Sequence, residues 1–221
     1  MKRIEYFYAA YSGYAYIGSA LFQEIAAKAG AVVVHRPFFL RDLVAARGNA
    51  ERVRETTYTS YWFGREIGRW AEYRGAPTIK RRPTYHHESY DMANRMLIAC
   101  GETGAATDRL AHGFLEAHWA EDADLSNRET LFAIAASVGL DGPALFEAAG
   151  AEQIDAQHRA NTEEAIARGF FGSPTYVVDG DPFYGQDRLE LVARALEKPF
   201  ANDWTLPVGQ FRRKQAAVDI A

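Results

Sequence analysis

Residues 172–180, with the sequence Gly-Ser-Pro-Thr-Tyr-Val-Val-Asp-Gly, restrict the possible folds more than any other stretch of this chain. Thr175 to Val178 are β-branched and aromatic residues, which favour a pleated strand. Pro174 precedes them, and proline is expected only at the first position of such a strand because it cannot donate to a sheet. Asp179-Gly180 is typical of a two-residue hairpin turn. The stretch therefore predicts a buried strand that turns back on itself.

The residues after this turn complete a ββα unit. Residues 182–184 are the expected partner strand, and the apolar pattern predicts a helix from about Gln186. A more specific interpretation of this turn is a cis peptide bond between Ser173 and Pro174, directly before the first strand of the hairpin. Only about 5–6% of such bonds are cis in folded proteins, so these residues alone favour the trans form.

The N-terminal residues predict a βαβ unit. Residues 4–8 read as a short strand, residues 14–28 as a helix and residues 31–35 as a β-branched strand. Gly30 ends the helix, as a residue near the C-cap should. Such a unit almost always has a right-handed crossover. The chain thus has strand-forming halves at both of its ends.

The pattern between these halves is helical, from Tyr58 to roughly Gly169. Asn127 and Asp141 are expected to cap two of these helices, and residues 38–44 read as a helical turn or a loop. Because the strands lie at the two ends, the order predicts an α/β protein with one small sheet and a helical insertion. The predicted helices cover residues 65–71, 89–100, 106–118, 128–138, 143–149 and 151–168.

Charge and cysteine content restrict the range of functions that the chain can have. The net charge of the 221 residues is −4 and the basic residues are scattered, which argues against nucleic-acid binding. The run Lys80-Arg81-Arg82 reads as a solvated loop. Cys100 is the single cysteine, so the chain can form neither an internal disulfide nor a Cys-x-x-Cys redox pair.

The sequence favours neither a membrane protein nor a metalloprotein. No apolar run reaches transmembrane length, and the start at Met1 has no signal-peptide pattern, which indicates a soluble cytoplasmic protein. His86-His87-Glu88 lacks the spacing of metal ligands, and no metal site is expected. All six histidines are interpreted as solvated or packed.

The turn after the first strand is the best candidate for chemistry. Residues 11–14, Tyr-Ser-Gly-Tyr, lie at the end of a strand and the start of a helix, where open α/β sheets bind ligands. Ser12 can serve as an N-cap, or it can donate to a ligand thiolate and lower the pKa of that thiol; the residues alone leave both open. A nearby aromatic group is either a helix core face or the wall of an apolar pocket: Tyr58, Tyr61, Trp62, Phe63 and Trp70.

Ser12, Pro174 and Gln186-Asp187-Arg188 together resemble a known family, the 2-hydroxychromene-2-carboxylate isomerases. These enzymes are related to kappa-class glutathione transferases and to DsbA-type disulfide oxidoreductases. The resemblance covers most of the chain and is most specific at its last segment. The matching segments are residues 7–8, 12–16, 36–38, 48–49, 65–71, 171–175 and 185–189.

The resemblance implies a thioredoxin-like domain of type βαβ…ββα, as in the DsbA and kappa glutathione transferase proteins, with an inserted all-helical domain. The thioredoxin-like domain would comprise residues 1–60 and 165–221, and the helical domain residues 61–164. It implies that a cis-proline opens the C-terminal hairpin. Because relatives are often dimers, the resemblance also implies that this protein could form a homodimer.

The resemblance further implies that glutathione is the cofactor and that Ser12 is catalytic, with its hydroxyl directed at the glutathione sulfur. Gly13 and Tyr14 would belong to the same binding turn. Asn49 would hold the tripeptide, and the Ser173 backbone beside Pro174 would pair with its cysteinyl amide. Gln186 and Asp187 would bind the γ-glutamyl end of glutathione, and Asp187 would accept a hydrogen bond from the ammonium group of that end. The competing interpretations are an exposed asparagine in a turn and an aspartate that caps a helix.

The implied reaction is the interconversion of 2-hydroxychromene-2-carboxylate and trans-benzylidenepyruvate forms of an aromatic 2-oxo acid, by reversible thiolate addition. The alternatives are a kappa-like glutathione transferase or peroxidase and a thioredoxin-like binding protein without chemistry. Three positions depart from the family. Gly13 replaces a proline, Ala9 and Ala10 stand where an acid is common, and Thr59 replaces a lysine, for which Arg54 or Arg65 could substitute.

Overall fold

The computed structural model describes residues 1–48, 51 and 55–201, and it contains one four-stranded sheet. The strands are β1, Arg3–Tyr8; β2, Val32–Pro37; β3, Thr175–Val178; and β4, Asp181–Tyr184. Their order is β2-β1-β3-β4. β1 runs parallel to β2, whereas β3 is antiparallel to both β1 and β4. The predicted βαβ and ββα units are therefore confirmed, and β1 and β3 join them into one sheet.

Helices account for most of the remaining described chain. Residues 38–44, read as a helical turn or a loop, contribute to α2. The helices are α1, Gly13–Ala29; α2, Leu40–Ala46; α3, Thr56–Ser60; α4, Ile67–Arg74; α5, Asp91–Cys100; α6, Ala105–Ala120; α7, Arg128–Ser137; α8, Gly142–Ala149; α9, Glu152–Ala167; and α10, Leu189–Glu197. A π-helical segment, Tyr61–Glu66, joins α3 to α4, and a 3-10 turn, Gln186–Arg188, precedes α10.

The sheet is covered on both faces, because side chains alternate along β1. Ile4, Tyr6 and Tyr8 point into a core that includes α1 and α10. Phe7 points to the opposite face, where it packs with residues from α2 and α9. The Tyr6 ring stacks on Tyr176 of β3 at a centroid distance of 5.3 Å, and these two residues are register partners. The middle of the sheet is thus well packed on both faces, and it supports the loops at its end.

Helix ends follow the predicted caps. Gly30 adopts the left-handed conformation at the C-terminus of α1, with φ of 59°. The side chains of Asn127 and Asp141 accept backbone hydrogen bonds at the starts of α7 and α8. The division into a thioredoxin-like and a helical domain stays a prediction. Ala165, at the C-terminal end of α9, packs in the core on the Phe7 face of the sheet.

None of the helices in residues 1–48, 51 and 55–201 is both long enough and apolar enough to span a membrane.

Candidate active site

Ser12 lies where β1 ends and α1 begins. It is the N-cap of α1 in an extended conformation, and its Oγ accepts a hydrogen bond from the Ala15 amide at 3.3 Å. The Ser12 amide in turn donates to the Ala9 carbonyl at 3.0 Å, which closes the turn. The capping interpretation of Ser12 is therefore confirmed. Its hydroxyl also lies at the positive end of a 17-residue helix, where an anion is stabilised.

The same hydroxyl joins the two ends of the chain. Ser12 Oγ donates to the backbone carbonyl of Ser173 at 3.2 Å, and the Ala9 amide donates to Ser173 Oγ at 3.1 Å. The peptide bond between Ser173 and Pro174 is cis, as the family resemblance implies. Ser12 and Ser173 are both buried. The structure thus brings Ser12, Ser173 and Pro174 together at one end of the sheet.

Gly13 has no room for a side chain. A Cβ at this position would lie 2.7 Å from Trp119 Cζ2 and 3.0 Å from Ile67 Cδ1. The Trp119 indole is fixed in this place, since its Nε1 donates to the Tyr11 carbonyl at 2.8 Å. A larger residue at this position, such as the proline that the family resemblance implies, would require Trp119 to shift. Nothing in the local sequence indicates that Trp119 would pack here.

A buried asparagine holds the loop that leads to Ser12. Asn94 of α5 accepts a hydrogen bond from the Ala10 amide at 2.9 Å and donates to the Phe38 carbonyl at 3.2 Å. Its amide nitrogen also lies 3.1 Å from Nε2 of the buried His158. The sequence gives no signal for this role, because an asparagine within a helix is usually exposed. Asn94 therefore ties the helical part of the chain to the turn that carries Ser12.

Tyr14 is the second residue of α1 and contacts the π-helical segment. Its hydroxyl donates to the Trp62 carbonyl at 2.5 Å. Burial raises the pKa of the Tyr14 phenol, and the neighbouring Glu66, Tyr184 and Asp187 raise that pKa further. Tyr14 consequently remains a protonated donor at neutral pH.

Gln186 is more enclosed than expected for a ligand-binding residue. Its side chain is 1% exposed, and its Oε1 accepts a hydrogen bond from Arg74 Nε at 3.1 Å. Its Nε2 has no hydrogen-bond partner among the described residues. Asp187 is more accessible and pairs with Arg188 at 2.7 Å. The N-cap residue of α10 is Arg188, without a side-chain cap, so the capping interpretation of Asp187 is wrong.

Other predicted residues are placed as follows. Asn49 and Arg54 lie outside the described residues. Thr59 is bonded to its own helix, where its Oγ1 donates to the Glu55 and Thr56 carbonyls. Arg65 lies on the wall of a groove beside α4.

The aromatic group near the site is only partly buried. Tyr61 and Trp62 are 44% and 43% exposed, which excludes a closed core face for these two residues. Phe63 and Trp70 are half-buried and pack against the main core. Phe63 also lines the groove beside α4.

His86 and His118 form a close pair, with 3.0 Å between His86 Nδ1 and His118 Nε2. Burial lowers the pKa of both imidazoles, that of His86 to about 2. Both rings are therefore neutral at physiological pH. In the part of the chain that the structure describes, no group of three or more metal-ligating side chains could hold a metal ion.

The chain resembles known proteins in both sequence and fold. It is 25% identical to a 2-hydroxychromene-2-carboxylate isomerase from Sphingobium xenophagum over 192 residues, which cover 86% of this chain and 96% of that protein. A solved 2-hydroxychromene-2-carboxylate isomerase superposes with a TM-score of 0.77 at 20% identity, over 88% of this chain and 94% of the other.

A second fold neighbour is the cytosolic disulfide reductase DsbM from Pseudomonas aeruginosa with GSH. It superposes with a TM-score of 0.59 at 17% identity, over 89% of this chain and 93% of that chain. The family of DSBA-like thioredoxin domains matches residues 3–197. With nearly the whole described fold inside that match, the chain belongs to the DSBA-like thioredoxin domain family.

Proposed function

We propose that this protein is a glutathione-dependent isomerase that acts on an aromatic 2-oxo acid with a conjugated double bond, of the 2-hydroxychromene-2-carboxylate and trans-benzylidenepyruvate type. Bound glutathione would supply a thiolate that adds reversibly to the double bond and permits its rotation. The protein would act in the cytoplasm, where thiols are kept reduced. Its own residues bind the tripeptide, hold the sulfur as thiolate and position the acid.

The observation that carries the proposal is the hydrogen bond between Ser12 Oγ and the Ser173 carbonyl, 3.2 Å long, at the N-terminus of α1. A thioredoxin-like fold uses this place for a sulfur nucleophile, and here a serine stands in it. A hydroxyl cannot take part in disulfide exchange, but it can donate to a thiolate from another molecule. The site therefore suits a sulfur that the ligand brings.

Ser12 would lower the pKa of the ligand thiol by two effects. Its hydroxyl rotates from the Ser173 carbonyl to the sulfur and donates a hydrogen bond to the charged form. The N-terminus of α1 adds the positive end of the helix dipole. A free thiol has a pKa of about 8.5, so a lowering of about two units makes the thiolate the main form at neutral pH.

The remaining residues fit the rest of the tripeptide. The Ser173 carbonyl has a second lone pair, so it can accept from a ligand amide beside Pro174. Asp187 lies in the 3-10 turn before α10 and can accept a charge-assisted hydrogen bond from an ammonium group. Gln186 has an amide nitrogen without a protein partner among the described residues, which a ligand carboxylate could engage if the side chain turned from Arg74. Asn49 and Gly13 complete the proposed set.

Two comparisons support an isomerase, others name disulfide oxidoreductases, and the cysteine content argues against the latter activity. A curated relative and a fold neighbour both bear the name 2-hydroxychromene-2-carboxylate isomerase, and another fold neighbour was solved with GSH. Cys100 is the chain's only thiol, so the two-cysteine chemistry of a DsbA-type oxidoreductase has no second partner here.

The proposal is tested by following the ultraviolet spectrum of trans-o-hydroxybenzylidenepyruvate with the purified protein, with and without glutathione. We expect interconversion with the chromene form only when glutathione is present, and no net loss of free thiol. A lasting glutathione adduct would instead identify a transferase. Absence of turnover at millimolar glutathione, with calorimetry showing no binding of the tripeptide, would contradict the proposal and favour a non-catalytic binding protein.

A further inference from the structure

A groove of about 870 Å³ lies beside the candidate active site. Its apolar lining includes Trp119, Ile67 and Phe63. Trp119 and Ile67 are the two side chains that pack against Gly13, the residue next to Ser12. A ligand that fills this groove therefore contacts the same side chains that cover the first turn of α1.

The groove carries an excess of positive charge although the chain as a whole is acidic. Two of its arginines have carboxylate partners, since Arg69 pairs with Glu66 at 2.6 Å and Arg81 pairs with Asp122 at 2.5 Å. The other three cations have no carboxylate within ion-pair distance among the described residues, and Glu72 is the one acid among the lining residues. The basic residues that line the groove are Arg65, Arg69, Lys80, Arg81 and Arg82.

The loop that presents Lys80 and Arg82 is held in place by Asp122. This carboxylate accepts a hydrogen bond from the Thr84 amide at 2.7 Å and from Thr84 Oγ1 at 2.8 Å, in addition to its ion pair with Arg81. The loop is also tied to the groove floor, since the Ile79 amide donates to the Trp119 carbonyl at 3.1 Å. The run of three basic residues is thus part of an anchored loop.

Lys80 and Arg82 are both exposed, and the backbone of Lys80 is unusual. Lys80 has φ of 56°, a left-handed conformation that costs energy in a residue with a side chain. Arg82 is exposed and has no carboxylate within ion-pair distance among the described residues. A cation without an acid partner gains a charge-assisted hydrogen bond when an anionic ligand arrives.

We propose that this groove binds the carboxylate of the aromatic acid substrate, with Lys80 and Arg82 pairing with the carboxylate and Phe63 contacting the aromatic ring. The inference deepens the proposed function, on which it rests, by assigning substrate specificity to residues outside the Ser12 turn. An aromatic carboxylate matches both features of the groove, because its ring can lie against Phe63 and its charge meets unpaired cations. A neutral analogue of the same shape lacks the second interaction.

The experiment measures the dissociation constant of trans-cinnamate and of trans-cinnamamide by calorimetry. We compare the wild-type protein with Lys80→Gln/Arg82→Gln and with a matched surface control, Lys28→Gln/Arg109→Gln, which removes one lysine and one arginine outside the groove. We expect cinnamate binding to weaken at least tenfold in the groove variant and to stay unchanged in the control. Cinnamamide should bind weakly to all three proteins.

Conservative variants and turnover separate recognition from folding. Lys80→Arg/Arg82→Lys should retain most of the cinnamate affinity, and the groove variant should raise KM for the 2-oxo acid more than it lowers kcat. The proposal is overturned if wild-type protein fails to bind cinnamate at millimolar concentration, if the groove variant binds it as well as wild type, or if the amide binds as tightly as the acid.

Failure of the proposed function would look different. If cinnamate binding depends on Lys80 and Arg82 while no isomerase activity is found, the groove is an aromatic-acid site and the isomerase proposal fails alone.

Discussion

Ser12 Oγ and the Ser173 carbonyl, 161 positions apart in sequence, share a hydrogen bond of 3.2 Å. The donor belongs to the N-terminal βαβ unit and the acceptor to the turn that opens the C-terminal hairpin. Since a serine hydroxyl has one proton, the proton that would stabilise a bound thiolate is the one that now serves Ser173. The Ser12 hydroxyl is therefore already engaged within the protein. A ligand sulfur has to replace the Ser173 carbonyl as its hydrogen-bond acceptor.

Replacing Ser12 by alanine should abolish most of the activity while costing little stability. Loss of the N-cap is expected to lower the free energy of unfolding by about 1 kcal/mol. Turnover should fall by about 10² to 10³, as when a donor to a developing anion is removed. Glutathione-dependent isomerisation measures the first effect and urea denaturation the second.

Asn127→Ala is the matched control, because Asn127 caps α7 through two backbone amides and lies on a different helix from the site. It should show the same loss of stability with unchanged turnover. Equal activity of Ser12→Ala and wild type would remove Ser12 from the chemistry.

Gly13→Ala should be destabilising even though alanine is the better helix former. The new Cβ would meet Trp119 Cζ2 at 2.7 Å, and such overpacking costs about 1–3 kcal/mol. Gly68→Ala in α4 is the control, since no atom lies within 4 Å of its new Cβ and it should stabilise by up to about 1 kcal/mol. Thermal denaturation of both variants measures these two changes in stability. If Gly13→Ala/Trp119→Leu is no more stable than the sum of its two single changes predicts, the clash is not with Trp119.

The elements that sequence reasoning predicted are those set by local patterns. The hairpin at Asp179-Gly180, the end of α1 at Gly30 and the caps at Asn127 and Asp141 depend on residues a few positions away. The approach of Ser12 to Ser173 is a long-range contact. It was expected only because the motifs at both chain ends resemble one family, and no local pattern contains it.

The features that sequence reasoning missed arise from tertiary packing. The π-helical segment Tyr61–Glu66 has the composition of an ordinary helix, and only the fold shows the extra residue per turn. Trp119 and Asn94 read as one more apolar and one more polar helix residue. Their roles beside Gly13 and Ala10 depend on how α5 and α6 pack against the turn before α1. A single sequence carries no signal for such contacts.

Buried histidines should make the protein less stable in mild acid. Burial lowers the pKa of His158 to about 4 and that of His86 to about 2, whereas in the unfolded chain both titrate near 6.5. Below about pH 6.5 the unfolded state therefore binds more protons than the folded state. The free energy of unfolding consequently decreases as the pH is lowered. Each histidine contributes up to about 1.4 kcal/mol per pH unit until its folded pKa is reached. Urea denaturation at pH 7, 6 and 5 measures the slope.

His158→Phe should reduce this slope between pH 6 and 5, whatever it does to stability at pH 7. An identical slope in wild type and variant would show that His158 binds its proton equally well in the folded and the unfolded protein. Asp122 does not interfere in this window, because its hydrogen bonds with Arg81 and Thr84 hold the pKa of its carboxyl at about 2. Its contribution is lost only at lower pH.

Asn94→Ala should impair both stability and turnover, because Asn94 fixes the backbone just before Ser12. The change removes the acceptor of the Ala10 amide and the donor to the Phe38 carbonyl, and buried groups without partners cost about 1–3 kcal/mol each. Turnover should fall at least tenfold, since small displacements of a catalytic group are costly. Asn161→Ala is the control, because Asn161 is equally buried and donates to the adjacent Pro37 carbonyl, but has no bond to the Ser12 turn. A comparable loss of stability with normal kcat in Asn161→Ala, against a lowered kcat in Asn94→Ala, assigns Asn94 a positioning role. Equal kcat values in the two folded variants would reduce Asn94 to a residue of the core.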